Sequence, residues 1–221
     1  MPPPRAETIA ALRRSLSGQG LLVEPAARVG NPTGFAALDA AVGGWPAPGL
    51  AEVVGAPGSG RLGLLLPLLA RLSGAGRWVA LVDVLERLYP PAIPAVERAR
   101  LLLVRPGAER ALWAAEQLAA CGDVPVVVLL DPLPVGRAGY RLLRAAEQGG
   151  GLVVVLAERS EQPLPASLRL EAQGASPGAQ RVRVLRAPGR HGEGRVLELE
   201  LSAISCQPSA RNRAPGALGP R

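Results

Sequence analysis

The residues with the clearest chemical pattern form a glycine-rich loop, G-A-P-G-S-G-R-L, at positions 55–62. An apolar run, Leu50 to Val54, precedes the loop, and a helical pattern follows it from about Arg61. A loop of this kind between a strand and a helix turns successive backbone N–H groups toward one point, which makes a site for a phosphate. The loop residues that we predict to surround an anion are Gly55, Gly58, Ser59 and Gly60.

Two positions that a working phosphate loop requires are replaced in this chain. In the pattern G-x-x-x-x-G-K-S/T, the Lys contacts the terminal phosphates and the hydroxyl holds Mg²⁺. Arg61 and Leu62 stand at those positions. Leu62 has no oxygen for a hard cation, and the forked guanidinium of Arg61 is no substitute for a compact ammonium. Two interpretations stay open: a tight turn kept for packing, which we favour, and a loop that still binds ATP with Mg²⁺.

Carboxylates follow two of the apolar runs. Asp131 comes directly after Val124 to Leu130, where a nucleotide-binding sheet presents the Asp that orients Mg²⁺. It fits equally well as a residue that accepts backbone N–H bonds at the start of a loop. Asp83 follows Trp78 to Val82, and Glu86 is the nearby carboxylate that a hydrolase would use as general base. Glu86 also fits a solvated position without a catalytic role.

The second half of the chain contains a concentration of basic residues near a glycine-rich bend. These five arginines stand against one acid, Glu193, and suit a nucleic acid backbone or an acidic partner. A solvated hairpin explains them equally well. The residues of this predicted basic patch are Arg181, Arg183, Arg186, Arg190 and Arg195.

Composition favours one cytoplasmic domain without a metal. The chain has 221 residues, of which 48% are hydrophobic, and a net charge of +7, which favours a polyanionic partner. All 25 basic residues are Arg, a bias that we attribute to a GC-rich coding background. Cys121, Cys206 and the single histidine, His191, do not form a zinc motif. No apolar run is long enough to cross a membrane.

Apolar runs alternate with helical patterns along most of the chain, which predicts a mostly parallel sheet covered by helices. After Ser160 the alternation of apolar and charged residues predicts antiparallel strands with one wet face, the last two joined as a hairpin. The predicted strands are Leu50–Val54, Trp78–Val82, Leu101–Val104, Val124–Leu130, Leu152–Leu156, Ser167–Ala172, Arg181–Leu185 and Val196–Leu201. The predicted helices are Arg5–Leu16, Ala36–Val42, Arg61–Leu72, Ala92–Arg98, Glu109–Ala120 and Gly136–Gln148.

These patterns divide the chain into three parts. Residues 1–29 are predicted to hold a short amphipathic helix and a linker, and residues 30–205 the α/β domain. Residues 206–221 lack apolar periodicity and are predicted to be a disordered basic tail.

Taken in order, five motifs of the sequence resemble the RecA family, and more closely its ImuA branch, the accessory proteins of bacterial translesion mutagenesis. They are T-G-F-A-A-L-D at 33–39, G-G-W-P at 43–46, the loop at 55–62, V-D-x-x-x-x-L-Y-P-P at 82–91 and V-V-V-L-L-D at 126–131. Leu88 to Pro91 and Arg105 to Gln117 are typical of ImuA, and the resemblance covers Gly30 to Leu201. It implies a RecA-like core of the P-loop NTPase type, with Walker A at Gly55 to Leu62 and Walker B at Asp131.

The resemblance also shows where the chain departs from an active recombinase. There, a catalytic Glu follows the Val-Asp strand end by two residues, which is Leu85 here, with Glu86 displaced by one. Together with Arg61 and Leu62, this implies loss of ATP turnover.

The implied role is a scaffold in the DNA-damage (SOS) response. Its implied partners are the inactive Y-family polymerase homologue ImuB and an error-prone C-family DNA polymerase, with RecA and DNA as further candidates. Two alternatives stay open: an active DNA-stimulated ATPase of recombinase type, and a SulA-like inhibitor of cell division.

Overall fold

Eight strands form one mixed sheet in the computed structural model, which describes residues 30–131, 138–159 and 164–201. The order across the sheet is β3-β2-β4-β5-β1-β6-β7-β8. The strands are β1 Gly49–Val54, β2 Val79–Asp83, β3 Leu101–Val104, β4 Val126–Leu130, β5 Leu152–Ala157, β6 Leu168–Ser176, β7 Ala179–Arg186 and β8 Val196–Glu200.

Helices cover both faces of the parallel part of this sheet. The helices are α1 Ala36–Val42, α2 Leu66–Gly74, α3 Ala111–Ala120 and α4 Ala138–Gly149. Residues of α1 and α2 share one core with alternate residues of the strands, while α3 and α4 share the second core on the opposite face. Strands β1 to β5 all pair in parallel. Two-sided burial explains why β1, β2, β4 and β5 read as continuous apolar runs, while β3 is half-buried at the edge of the sheet.

The last three strands leave one face of the sheet in water. Buried and exposed residues alternate along β7 and β8, as the sequence predicts, and these two strands form an antiparallel hairpin. Strand β6 pairs antiparallel with β7 but parallel with β1. The prediction of antiparallel pairing was therefore incomplete for β6, which joins the two halves of the sheet.

A buried ion pair lies at this junction. Nε of Arg169 on β6 donates to Oε2 of Glu52 on β1 at 2.5 Å, and the two residues are direct partners in the strand register. The Glu52 side chain is 2% exposed and that of Arg169 is 17% exposed. A charge that leaves water to this degree requires a partner, so each residue depends on the other.

Two predicted helices differ from those observed, and prolines explain both. The prediction over Ala92–Arg98 is wrong, because the segment has only single 3₁₀ turns at Pro90–Ala92 and Arg98–Arg100. Pro94 lies between these turns, where it removes a backbone donor and disfavours helical geometry before it. The predicted helix from Arg61 begins at Leu66 instead.

Several predictions fall outside the described residues. The amphipathic helix at Arg5–Leu16 and the basic tail at 206–221 are among them, so they stay predictions. Within the described ranges, every helix is too short or too polar to cross a membrane.

Candidate functional site

The glycine loop and Asp131 lie at the same edge of the sheet, on either side of the end of β5. The loop follows β1, and Asp131 follows β4. Both are fixed to β5: the Gly55 N–H donates to the carbonyl oxygen of Ala157 at 3.2 Å, and the Asp131 N–H donates to that of Leu156 at 2.8 Å. The carboxyl ends of parallel strands are where ligands bind in sheets of this type. The structure thus brings the predicted Walker A and Walker B segments together.

The glycines of the loop adopt backbone angles that other residues avoid. Gly58 has φ of +80° and Gly60 has φ of +88°. A Cβ atom at Gly60 would overlap Oε1 of Gln180, whereas a Cβ atom at Gly58 would meet nothing within 4 Å. Gly60 is therefore required both for its backbone angle and for the space it leaves.

Gln180 supports the loop from β7. It is 1% exposed, and its Nε2 donates to the carbonyl oxygen of Ser59 at 2.8 Å and to that of Gly174 at 3.1 Å. These bonds connect the loop after β1 to the β6–β7 hairpin more than a hundred residues later. The loop shape is thus stabilised by the protein itself. Sequence analysis missed Gln180, because nothing in the local sequence of a strand with one solvent-exposed face indicates that an amide supports a distant loop.

The segment after the loop departs from an active phosphate loop. Leu62–Leu64 forms a 3₁₀ turn, and α2 begins only at Leu66, with Pro67 in its first turn. Proline is favoured in a first turn because it lacks the N–H that a later position would need. Leu62 packs against the core formed with α2. The loop is therefore not followed directly by an α-helix whose N-terminal N–H groups would face a phosphate.

Arg61 and Asp131 neutralise each other across the site. Nη1 of Arg61 donates to Oδ1 of Asp131 at 2.8 Å, and the two side chains are 11% and 25% exposed. The Arg61 guanidinium thus occupies the carboxylate that would orient Mg²⁺ in an active site. Within the described ranges, no group of three or more His, Cys, Asp or Glu side chains is placed to hold a metal ion.

Ser59, within the loop, has a buried hydroxyl. The residue is 7% exposed, and its Oγ lies beside Gly55, where an added Cβ atom would meet it at 2.6 Å. Its Oγ makes no hydrogen bond to any described residue. A buried hydroxyl without a partner is unfavourable by about 1–3 kcal/mol. Ser59 is thus a donor that neither Arg61 nor Gln180 satisfies.

The carboxylates after β2 have structural surroundings. Asp83 is 1% exposed, and it accepts the N–H groups of Arg87 at 3.1 Å and Leu88 at 3.0 Å, with Nε of Arg105 at 3.4 Å. Its oxygens hold the turn that follows the strand. Glu86, in this turn, has φ of +53° and an exposed side chain.

The arginines of the predicted basic patch are distributed over two faces of the sheet. On the wet face, Arg181 donates to Glu198 at 2.9 Å, and Arg183 lies opposite Glu171 in the strand register. Arg190 lies against Gly43, at the C-terminal end of α1 on the other face. Arg186 and Arg195 are exposed. The patch is thus divided, and acids accompany part of it.

Comparison with known proteins identifies the fold. No family model matches the chain, and no curated protein matches it. Among solved structures, the chain is similar to the crystal structure of the RadB recombinase, with a TM-score of 0.59 and 20% sequence identity. The match covers 77% of this chain and 95% of that chain. The fold is therefore that of the RecA-like α/β proteins. The site at the ends of β1 and β4 is a glycine-rich loop that the Arg61–Asp131 ion pair joins to Asp131.

Proposed function

We propose that this protein is a RecA-like scaffold that works without nucleotide in error-prone translesion DNA synthesis. The observation that carries the proposal is the Arg61–Asp131 ion pair, which connects the two halves of the site with protein atoms alone. In an active RecA-like site, Mg²⁺ and a triphosphate make this connection. A chain that makes it permanently has no need of ATP to hold these segments together.

The remaining catalytic positions agree with a scaffold. Leu62 belongs to the core and offers no ligand to Mg²⁺. Leu85 stands where the resemblance places a catalytic Glu, and its side chain is 47% exposed. Asp83, two residues before it, is already satisfied by two backbone N–H groups and Arg105. Glu86, the acid next to Leu85, is exposed in a turn with φ of +53°. The positions where the resemblance places a metal ligand and a base thus hold two leucines.

The choice of pathway rests on the resemblance to ImuA. The two segments that are typical of that family place an aromatic residue at the surface: Tyr89 is 68% exposed and Trp113 is 58% exposed. Large exposed aromatics are typical of protein interfaces. The proposed partners are the inactive Y-family polymerase homologue ImuB and an error-prone C-family polymerase. RecA and DNA remain further candidates, and the net charge of +7 suits an acidic partner.

Calorimetry tests the nucleotide part of the proposal. The natural chain is expected to bind Mg²⁺-ATP too weakly to measure at millimolar nucleotide and to release no phosphate, with or without single-stranded DNA. The double variant Arg61→Lys, Leu62→Thr is the matched control, and we expect it to gain affinity because it restores the ammonium and the hydroxyl. Magnesium-dependent hydrolysis by the natural chain would contradict the proposal and support a DNA-stimulated ATPase.

Co-purification tests the pathway. Tagged full-length chain, isolated from cells after DNA damage, is expected to retain the inactive polymerase homologue equally well with and without added ATP. Deletion of the gene should lower damage-induced mutation without lowering recombination. Filamentation of cells on overexpression, without any polymerase in the complex, would indicate a division inhibitor instead.

A further inference from the structure

We propose that the outer face of α3 and α4 is a docking surface for an acidic amphipathic helix of a partner protein. This α3–α4 groove is lined by Glu116, Gln117 and Ala120 of α3 and by Arg141, Arg144 and Gln148 of α4. It lies on the opposite side of the molecule from α2 and is separate from the glycine loop. The inference rests on the proposed function only in that a scaffold needs a surface for its partner.

Small residues allow the two helices to approach closely and to run side by side. Both helices connect parallel strands on the same face of the sheet, so they run parallel to each other. A Cβ atom at Gly149 would overlap the carbonyl oxygen of Ala119, so the C-terminal ends of the helices touch through backbone. The result is a shallow groove of about two helical turns, or about 10 Å, which suits a helix of similar length.

The groove contains polar groups that the chain leaves unsatisfied. Oε2 of Glu116 accepts Nη2 of Arg141 at 2.6 Å, but Oε1 of the same carboxylate is buried without a hydrogen bond to any described residue. That oxygen has almost no surface open to solvent, although the Glu116 side chain as a whole is 12% exposed. Arg144, one turn after Arg141, makes no ion pair within the described ranges. Arg144 is therefore the charged group of the groove with which a partner carboxylate can pair.

Two aromatic residues stand at one end of this groove. Trp113 lies one turn before Glu116 on α3 and is 58% exposed, and Tyr140 lies one turn before Arg144 on α4 and is 62% exposed. Trp, Tyr and Arg are the residue types that contribute most binding energy at interfaces. An apolar side chain of the partner helix is expected to pack between the two rings, with the polar groups of the groove one turn further along.

Charge favours an acidic partner over a second copy of this chain. Two arginines face the groove from α4, and the one acid among the lining residues is already bound to Arg141. Two copies of the chain, each with a net charge of +7, repel each other. A helix with Asp or Glu opposite Arg144 is attracted by the guanidinium. The occupant is thus an amphipathic helix with an apolar stripe and an acid that reaches Arg144.

Site-specific photocrosslinking in DNA-damaged cells is the first test. A benzophenone amino acid replaces Trp113 or Tyr140 in the full chain, and replaces Val196 as a control. Val196 is 51% exposed on β8, at the far edge of the sheet. We expect Trp113 and Tyr140, but not Val196, to crosslink to one acidic helical segment. Equal capture at Val196, or capture of a second copy of this chain, would overturn the inference.

Charge reversal with the captured segment, prepared as a peptide, is the second test. Trp113→Ala and Arg144→Glu are each expected to weaken its binding by about tenfold or more. Arg71→Glu, at an exposed arginine of α2 on the opposite face of the sheet, is the matched control and should leave binding unchanged. Replacing the peptide's acid by Arg should restore binding to the Arg144→Glu chain. Circular dichroism melts of each variant confirm that the fold is kept. Unchanged binding by both variants would contradict the docking surface.

The results separate this inference from the proposed function. If the captured segment belongs to a protein outside translesion synthesis and the charge reversal restores binding, the docking surface stands and the proposed pathway fails. If the polymerase homologue co-purifies but neither Trp113→Ala nor Arg144→Glu weakens the complex, the pathway stands and the docking surface fails.

Discussion

Arg61 donates a hydrogen bond of 2.8 Å to Asp131 across the end of β5, although 70 residues separate the two in the sequence. The pair connects the glycine loop to the end of β4, and its members stand at the positions that the sequence resemblance assigns to Walker A and Walker B. Its side chains are neither fully buried nor free in water, with exposures of 11% and 25%. The interaction energy of the ion pair is therefore measurable. Its magnitude decides whether Arg61 stays bound to Asp131 or leaves the site open to a ligand.

A double-mutant cycle measures this strength. Arg61→Met and Asp131→Asn are each expected to lower the free energy of unfolding by about 1–3 kcal/mol, because each leaves a partly buried charge unpaired. Their coupling energy should be about 1–2 kcal/mol, read from urea unfolding curves. The Arg181–Glu198 pair, which is 59% and 71% exposed, is the control, with a coupling energy below about 1 kcal/mol. Equal coupling energies for the two pairs would show that Arg61 is free to leave Asp131.

The buried pair between β1 and β6 should respond more strongly. Glu52→Ala leaves the guanidinium of Arg169 without its partner, and we expect a loss of about 3–5 kcal/mol in the free energy of unfolding. Replacing both residues by Leu or Met should restore most of this loss, because two apolar side chains need no partner. Chemical denaturation checks both results. If the double variant is as unstable as Glu52→Ala, the sheet junction depends on the charges themselves.

Gly60 and Gly58 form a matched pair for testing the support of the loop. Both have positive φ, so Ala at either position is expected to cost about 1–2 kcal/mol in backbone strain. Only at Gly60 does the new methyl group overlap Gln180, which should add about 1–3 kcal/mol. Thermal or urea unfolding of the two variants gives the difference. Equal losses at the two positions would mean that Gln180 moves aside freely.

Asp83 is a buried, hydrogen-bonded acid and Glu86 is an exposed one, so we expect their replacement to affect stability differently. Asp83→Ala removes the acceptor of two N–H groups and of Arg105, and it should lower the free energy of unfolding by at least about 2 kcal/mol. Glu86→Ala should stay within about 0.5 kcal/mol of the natural chain, as expected for an exposed side chain. Urea unfolding gives both values. A phosphate-release activity that disappears with Glu86→Ala would instead identify a catalytic base.

Local patterns in the sequence predicted most of the fold. The apolar runs at β1, β2, β4 and β5 are buried on both faces, and this burial leaves a continuous signature, whereas the edge strand β3 is half-buried. The mostly parallel sheet and the β7–β8 hairpin are confirmed. The helix predicted over Ala92–Arg98 was wrong because its apolar spacing outweighed Pro94. The parallel pairing of β6 with β1 leaves no local signal, since one strand can pair differently on its two edges.

The candidate site was predicted only in its location. Residue types predicted that the loop and Asp131 lie at one edge of the sheet, and they predicted the loss of two catalytic positions. Arg61 reaches Asp131 because β5 lies between β1 and β4 in the sheet. The spacing of residues in the sequence does not reveal this strand order. The role of Gln180 depends on a long-range contact in the same way. Local sequence patterns contained no information on side-chain contacts between residues that are distant in the sequence.

The amide of Gln180 below the loop has a consequence for how such proteins are recognised. Because the sheet itself maintains the bend, protein contacts alone stabilise the glycine spacing. A search for glycines alone therefore does not distinguish chains that bind a nucleotide from chains that do not. The two kinds of chain differ in whether the side chains around the bend leave space and positive charge for a bound phosphate.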